Sequence, residues 1–133
     1  MDYILDTHIA LWALNDSDQL PMVARKIISD TNNNIYFSAI SVMEVSIKHN
    51  KFPSQFERSG EDFYLDCLNS GYYTMPLKPK HAILMDSLKM KEGFEHNDPF
   101  DRALLAQAKH EEFKFITHDR SFEHYDENCI VLV

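Results

Sequence analysis

The chain has 133 residues, 44% of them apolar and 26% charged, and a formal net charge of −8. That length suits a single domain over residues 1–133 with a real core, and the acidity excludes broad electrostatic affinity for nucleic acid, whose phosphates are met by Lys and Arg. No run approaches the ~20 apolar residues of a membrane span, and the opening Met-Asp-Tyr-Ile-Leu-Asp lacks the basic region of a signal peptide, so a cytoplasmic protein is expected.

Tyr3-Ile4-Leu5 reads as a short buried strand that ends at Asp6-Thr7, with an apolar helix over 9–14 behind it. Asp6 therefore stands at a strand-to-helix junction, where either it or Thr7 would serve as a cap. A polar turn over 15–19 leads into a helix over Met22–Ser29 and a loop over 30–34. Ile35-Tyr36-Phe37 has the composition of a second strand. Ser41 and Glu44 then have the S-x-x-E spacing of a capping box, which puts another carboxylate just behind a strand. Lys48 lies one turn further on the same face, placed to pair with Glu44 or to contact a phosphate. Residues 52–71 predict a helical region, strongest over 61–68 and closed by Gly71. Residues 72–77, with Pro76, read as an edge strand. A helix over 79–88 follows, then a charged, mobile loop over 89–95.

His96-Asn97-Asp98-Pro99-Phe100-Asp101-Arg102 opens the most apolar helix of the chain. Phe100, Ala103, Leu104, Leu105, Ala106 and Ala108 cover so much of it that a core position is expected. Asp98 is placed as the N-cap and Pro99 as the first helical residue. Asp101 falls third, inside the positive end of the helix dipole. Capping accounts well for Asp98 and less well for Asp101. Residues 113–117 are a strand, Asp119 follows it ahead of a short helical turn to about Tyr125, and 129–133 form a last strand. Cys67 and Cys129 have no metal-type spacing and are expected to be reduced core residues.

The alternation of strands and helices predicts an α/β fold, a three-layer α/β/α sandwich around a central, mostly parallel sheet. Ligands of such sheets bind beyond the carboxyl ends of the strands. Asp6, Glu44 and Asp119 each follow a strand, whereas Asp98 and Asp101 precede one, so spacing alone does not bring these two to the same edge. Carboxylates gathered in one cleft repel each other unless cations neutralise them. Hard oxygen ligands without Cys or paired His favour Mg²⁺ or Mn²⁺, a combination suited to phosphodiester hydrolysis. The negative charge does not exclude a nucleic-acid enzyme of this kind, because bound cations reverse the local sign. Phosphate-binding Gly-rich loops and a Gly-x-Ser-x-Gly elbow are absent from a chain with only three glycines.

The ordered set Leu5-Asp6-Thr7-His8 with Leu11-Trp12, Ser38-Ala39-Ile40-Ser41 with Glu44 and Ile47-Lys48, His96 to Arg102 with Ala106-Gln107-Ala108, and Thr117-x-Asp119 with Phe122 and Tyr125 resembles the PIN-domain ribonuclease toxins of the VapC type. The resemblance implies a PIN-like fold and a metal-dependent endoribonuclease, the toxin of a toxin–antitoxin pair. It implies a catalytic and metal-binding quartet of Asp6, Glu44, Asp101 and Asp119, with Asp98 as a cap, a water-mediated ligand or both. Thr7 and Ser38 would orient carboxylates or bound water, and Arg102 would contact a phosphate or pair with a nearby acid. His8, His96 and His118 lie near the acids and receive no catalytic role. The implied cofactor is Mg²⁺ or Mn²⁺. The implied partners are an RNA substrate, a cognate antitoxin inserting a segment into the acidic groove, and a second copy of the chain. A noncatalytic binding module of the same fold, or a DNA nuclease, are the competing readings.

Overall fold

Five strands, all parallel, lie in the order β3-β2-β1-β4-β5 in the computed structural model, which describes residues 1–133. In chain order the elements are β1 (Asp2–Leu5), α1 (Thr7–Leu14), α2 (Met22–Ser29), β2 (Asn34–Ser38), α3 (Ala39–Lys51), α4 (Gly60–Asn69), β3 (Tyr73–Met75), α5 (Pro79–Leu84), α6 (Pro99–Glu111), β4 (Lys114–Thr117) and β5 (Ile130–Leu132). Single 3-10 turns occupy Met85–Ser87 and Arg120–His124. No helix is long and apolar enough to cross a membrane.

The central strands are short and continuously apolar because both faces of the sheet are covered. Neighbouring residues alternate between the two sides. Ile4 and Phe115 pack with Leu104, Leu105 and Phe122 on the α6 side. Leu5, Ile35, Phe37 and Ile116 pack with Ile9, Phe63 and Cys67 on the opposite side. Helix α6 is buried from Ala103 through Ala108, as its composition predicts.

Strand order reverses around β1, whose partners are β2 on one side and β4 on the other. A crevice opens beyond the carboxyl ends of the strands at such a switch point. Asp6 stands there, one residue past β1, its N–H still donating to the Ile116 carbonyl at 2.9 Å.

Three local expectations are corrected. Helix α3 begins directly after β2, with Ser38 as its N-cap accepting from the Ile40 N–H at 2.9 Å. The capping box expected from Ser41 and Glu44 therefore does not form, because both residues already lie inside the helix. Residues 52–59 are not helical. Helix α4 starts at Gly60 behind the Ser59 cap, where it closes tightly on α3: a Cβ at Gly60 would sit 1.8 Å from Ser46 Oγ. Helix α5 ends at Leu84 and tightens into a 3-10 turn rather than running on to Leu88. The helix stop at Gly71 is as expected: at φ +87° it takes a conformation open to glycine. The 89–95 loop is tied at one end, where Met90 pairs with Tyr125 and the Lys91 N–H donates to the His124 carbonyl at 2.7 Å.

The α3–α4 contact yields a test. Gly60→Ala should destabilise the chain by ~1–3 kcal/mol, as overpacking does, with part of the loss recovered by adding Ser46→Ala. Urea denaturation checks this, and an unchanged midpoint in Gly60→Ala would contradict the close approach.

Candidate active site

Asp6 is 6% exposed and held through both oxygens. Oδ1 accepts from the Thr7 N–H at 2.8 Å, and Oδ2 accepts from the Thr117 hydroxyl at 2.6 Å. Asp6 thus caps α1 while facing the crevice. Thr117 Oγ1 also accepts from the Asp119 N–H at 3.1 Å, so the last residue of β4 links the first and last acids of the chain. Asp119 caps the following 3-10 turn, its Oδ1 accepting from the Ser121 N–H and hydroxyl.

Glu44 is buried on the second turn of α3. Its Oε1 accepts from the Thr7 hydroxyl at 2.7 Å and its Oε2 from Lys48 Nζ. Because the single Thr7 proton goes to Glu44, the 2.8 Å contact between Thr7 Oγ1 and Ser41 Oγ is a bond donated by Ser41. Thr7 therefore bonds two acids of the cleft. Its backbone holds Asp6 and its side chain holds Glu44.

Asp98 and Asp101 come from the start of α6. Asp98 is the N-cap, accepting from the Asp101 N–H at 3.0 Å. Asp101 projects from the third helical position, with Oδ2 2.9 Å from His96 Nε2. Both line a cleft of about 270 Å³ together with Asp6, Glu44 and Asp119. Five carboxylates from four separate stretches of chain therefore meet at the switch point, including the two whose placement spacing left open. His8, Trp12, Lys48 and His118 complete the lining. The Trp12 ring lies 6.0 Å from His8 and 5.7 Å from His118 between centroids.

The acids perturb each other. Burial pushes the Asp6 carboxyl up to about 6, against its two hydrogen bonds and with help from the charges of Glu44 and Asp119. Burial also pushes Asp101 up to about 8, with Asp6, Asp98, Asp119 and Glu44 all adding to it. Burial lowers His96 in spite of nearby acids. A cluster of hard oxygen donors that resists carrying its own charge fits a divalent cation of the Mg²⁺ or Mn²⁺ type.

Two expected residues lie outside the cleft lining. Ser38 touches no carboxylate: it donates to Gln107 Oε1, whose Nε2 donates to the Pro76 carbonyl at 3.2 Å. This relay, with Ser38 and Gln107 fully buried, ties β2, α6 and the exit of β3 together. Arg102 contacts neither an acid nor the cleft. Its guanidinium donates to the carbonyls of Met85 at 2.7 Å and His96 at 3.3 Å, and to the Tyr125 hydroxyl at 3.2 Å. Thr117 is the residue whose role the sequence reading missed, although it stands in the Thr117-x-Asp119 motif.

A second group, His81, His110 and Glu111, has ligand-type atoms within 4.8 Å of one another. His81 Nδ1 accepts from the Lys78 N–H at 3.1 Å, so Nε2 carries the proton and donates to Glu111 Oε1 at 3.0 Å. That bond is the main reason Glu111 is held below its ordinary range. The proton occupies the position a metal would need, and the buried His81 ring ties α5 to Glu111 at the end of α6.

A family profile for the PIN domain matches residues 3–128. The chain belongs to the PIN-domain family, a family of nucleases, as the ordered motifs imply. Among solved structures, the crystal structure of VapBC2 from Rickettsia felis bound to a DNA fragment from its promoter matches with a TM-score of 0.69. Its identity is 18%, and the match covers 100% of this chain and 98% of that one. Likeness at that identity concerns the fold. No curated protein matches the chain.

The raised carboxyls set a pH dependence. Their folded pKa values lie above the ordinary value of 3.8, so folding favours their protonated forms. The stability this gives is fully present below about pH 4 and is lost as pH rises through about 6 and then about 8. The Tm of metal-free protein should therefore fall across that window. Asp101→Asn should raise the metal-free Tm near pH ~8 and change it little near pH ~5, where the native carboxyl is already neutral. A Tm that stays flat or rises with pH in metal-free buffer would contradict the electrostatic reading.

Proposed function

We propose that the chain is a divalent-metal-dependent endoribonuclease, the toxin of a toxin–antitoxin pair, acting on RNA phosphodiesters. The observation that carries this reading is the meeting of Asp6, Glu44, Asp98, Asp101 and Asp119 in one cleft at the sheet's switch point. All four quartet positions carry acids, which argues against a noncatalytic module. Asp6 and Asp101 are the principal ligands for Mg²⁺ or Mn²⁺, with Glu44, Asp119 and Asp98 completing the set. A divalent ion held there would supply Lewis-acid polarisation of the scissile phosphate and activation of water.

The chain's own residues do the rest. Thr7 and Thr117 hold Glu44 and Asp6 in fixed orientations, so the carboxylates need not reorganise during reaction. Lys48 is the one Lys or Arg in the cleft lining, placed beside Glu44 to meet a phosphate oxygen. Trp12, between His8 and His118, offers ring faces on which unpaired bases can stack. The likeness to VapBC2 supports a partner protein of the antitoxin kind, and the net charge of −8 suits a basic inserted segment. A second copy of the chain would add Lys and Arg to an RNA groove. We place the active domain in the cytoplasm, spanning residues 1–133.

Cleavage of a mixed RNA pool by the folded, antitoxin-free chain tests the proposal. With Mg²⁺ or Mn²⁺ the pool should yield discrete fragments with 5′-phosphates, and EDTA should abolish them. Asp6→Asn and Asp101→Asn should each lose at least ~100-fold in rate, the scale of removing one electrostatic contact to the transition state. Cutting that persists in EDTA or in both variants would overturn the reading, and equal cutting of DNA would favour a DNA nuclease.

A further inference from the structure

His96 is the one residue of the α6 entry that touches an acid of the cleft without lining the cleft. Its side chain is 10% exposed. The ring is gripped on two sides, by Phe122 at 5.3 Å and 72° and by Tyr125 at 5.4 Å and 55° between planes. Its carbonyl accepts from Arg102 Nη1 and from the Tyr125 hydroxyl, each at 3.3 Å. The ring makes one hydrogen bond, from Nε2 to Asp101 Oδ2 at 2.9 Å, and Nδ1 is buried with no partner.

That last fact fixes the proton. A hydrogen on Nδ1 would leave a buried donor unsatisfied and, once a bound cation has ionised Asp101, would point the Nε2 lone pair at the carboxylate. A hydrogen on Nε2 serves the carboxylate and leaves only an acceptor unpaired. We infer that His96 is the positioning residue of Asp101: it donates Nε2–H to Oδ2, fixes the carboxylate's rotamer and turns Oδ1 to the cleft for the cation. This rests on the reading of Asp101 as a metal ligand. Arg102, next to Asp101 in sequence, grips the backbone of His96, and the His96 ring grips the side chain of Asp101. The two contacts close a loop around the ligand. A hydrogen-bonded partner of this type commonly contributes ~10–100-fold in metal affinity or activity.

The test compares His96→Phe, His96→Gln and Asp101→Asn with the native chain, each verified as folded by circular dichroism and urea denaturation. Phe refills the aromatic slot without a donor, and Gln places an amide N–H near the Nε2 position. Mn²⁺ affinity, read by calorimetry, should fall ~10–100-fold in His96→Phe and recover most of that loss in His96→Gln. ¹⁵N NMR of the Mg²⁺-loaded native chain should show the His96 proton on Nε2. Native-like Mn²⁺ affinity in His96→Phe while Asp101→Asn binds weakly would overturn the role of His96 alone. So would a proton on Nδ1, or a Gln variant as impaired as Phe. Unchanged affinity in Asp101→Asn would overturn the ligand assignment itself, and the inference with it.

Discussion

Mutual repulsion among five carboxylates at the carboxyl edge of the sheet is the constraint around which the molecule is arranged. Asp6 is almost fully buried at the end of the central strand, where an unassisted charge is expensive. It stays there because β1 cannot end elsewhere: its neighbours β2 and β4 fix its register, and the Asp6 N–H is the last rung of the β1–β4 ladder. The acids on α3 and α6 are brought to it by helices packed on both faces of that sheet. The raised carboxyls of Asp6 and Asp101 record what this convergence does to them. It is a site assembled at the expense of metal-free stability, as functional sites commonly are.

Around the acids lies a set of small hydroxyl and amide groups, most of them fully buried. Thr7, Ser41 and Thr117 join Asp6, Glu44 and Asp119 into one hydrogen-bonded unit. Ser38, Gln107 and the Pro76 carbonyl form a second unit beneath it. Both are satisfied networks, the condition under which buried polar groups rigidify a site rather than weaken it. Arg102 serves a related end on the α6 side, fastening the 3-10 turn at Met85, the His96 carbonyl and Tyr125 to the helix that carries Asp101. Its contacts give the residue a structural explanation in place of the phosphate contact expected of it.

Much of this was legible in the sequence because the relevant signals are local. Asp98-Pro99 marks a helix start by capping and proline chemistry, and α6 begins there. The apolar triplets of the central strands stand out because buried parallel strands need no alternation. What stayed hidden was tertiary. The Ser41–Glu44 spacing imitates a capping box, but Ser38 already caps the helix, and Ser41 faces Thr7 instead. The tie between Thr117 and Asp6 spans 111 residues, beyond the reach of any local pattern. The meeting of Asp98 and Asp101 with Asp6 depends on how α6 crosses the sheet, which no spacing encodes. His96 looked like an ordinary polar residue at a helix start until the Phe122 and Tyr125 rings enclosed it.

The central claim is that divalent-cation binding displaces protons that burial and mutual repulsion hold on the carboxyls of Asp6 and Asp101. Calorimetry of Mg²⁺ binding at neutral pH, in buffers of different ionisation enthalpy, measures this directly. The account predicts that binding releases protons, with most of the release lost in Asp101→Asn. Binding without proton release, or no binding to the folded chain, would contradict it.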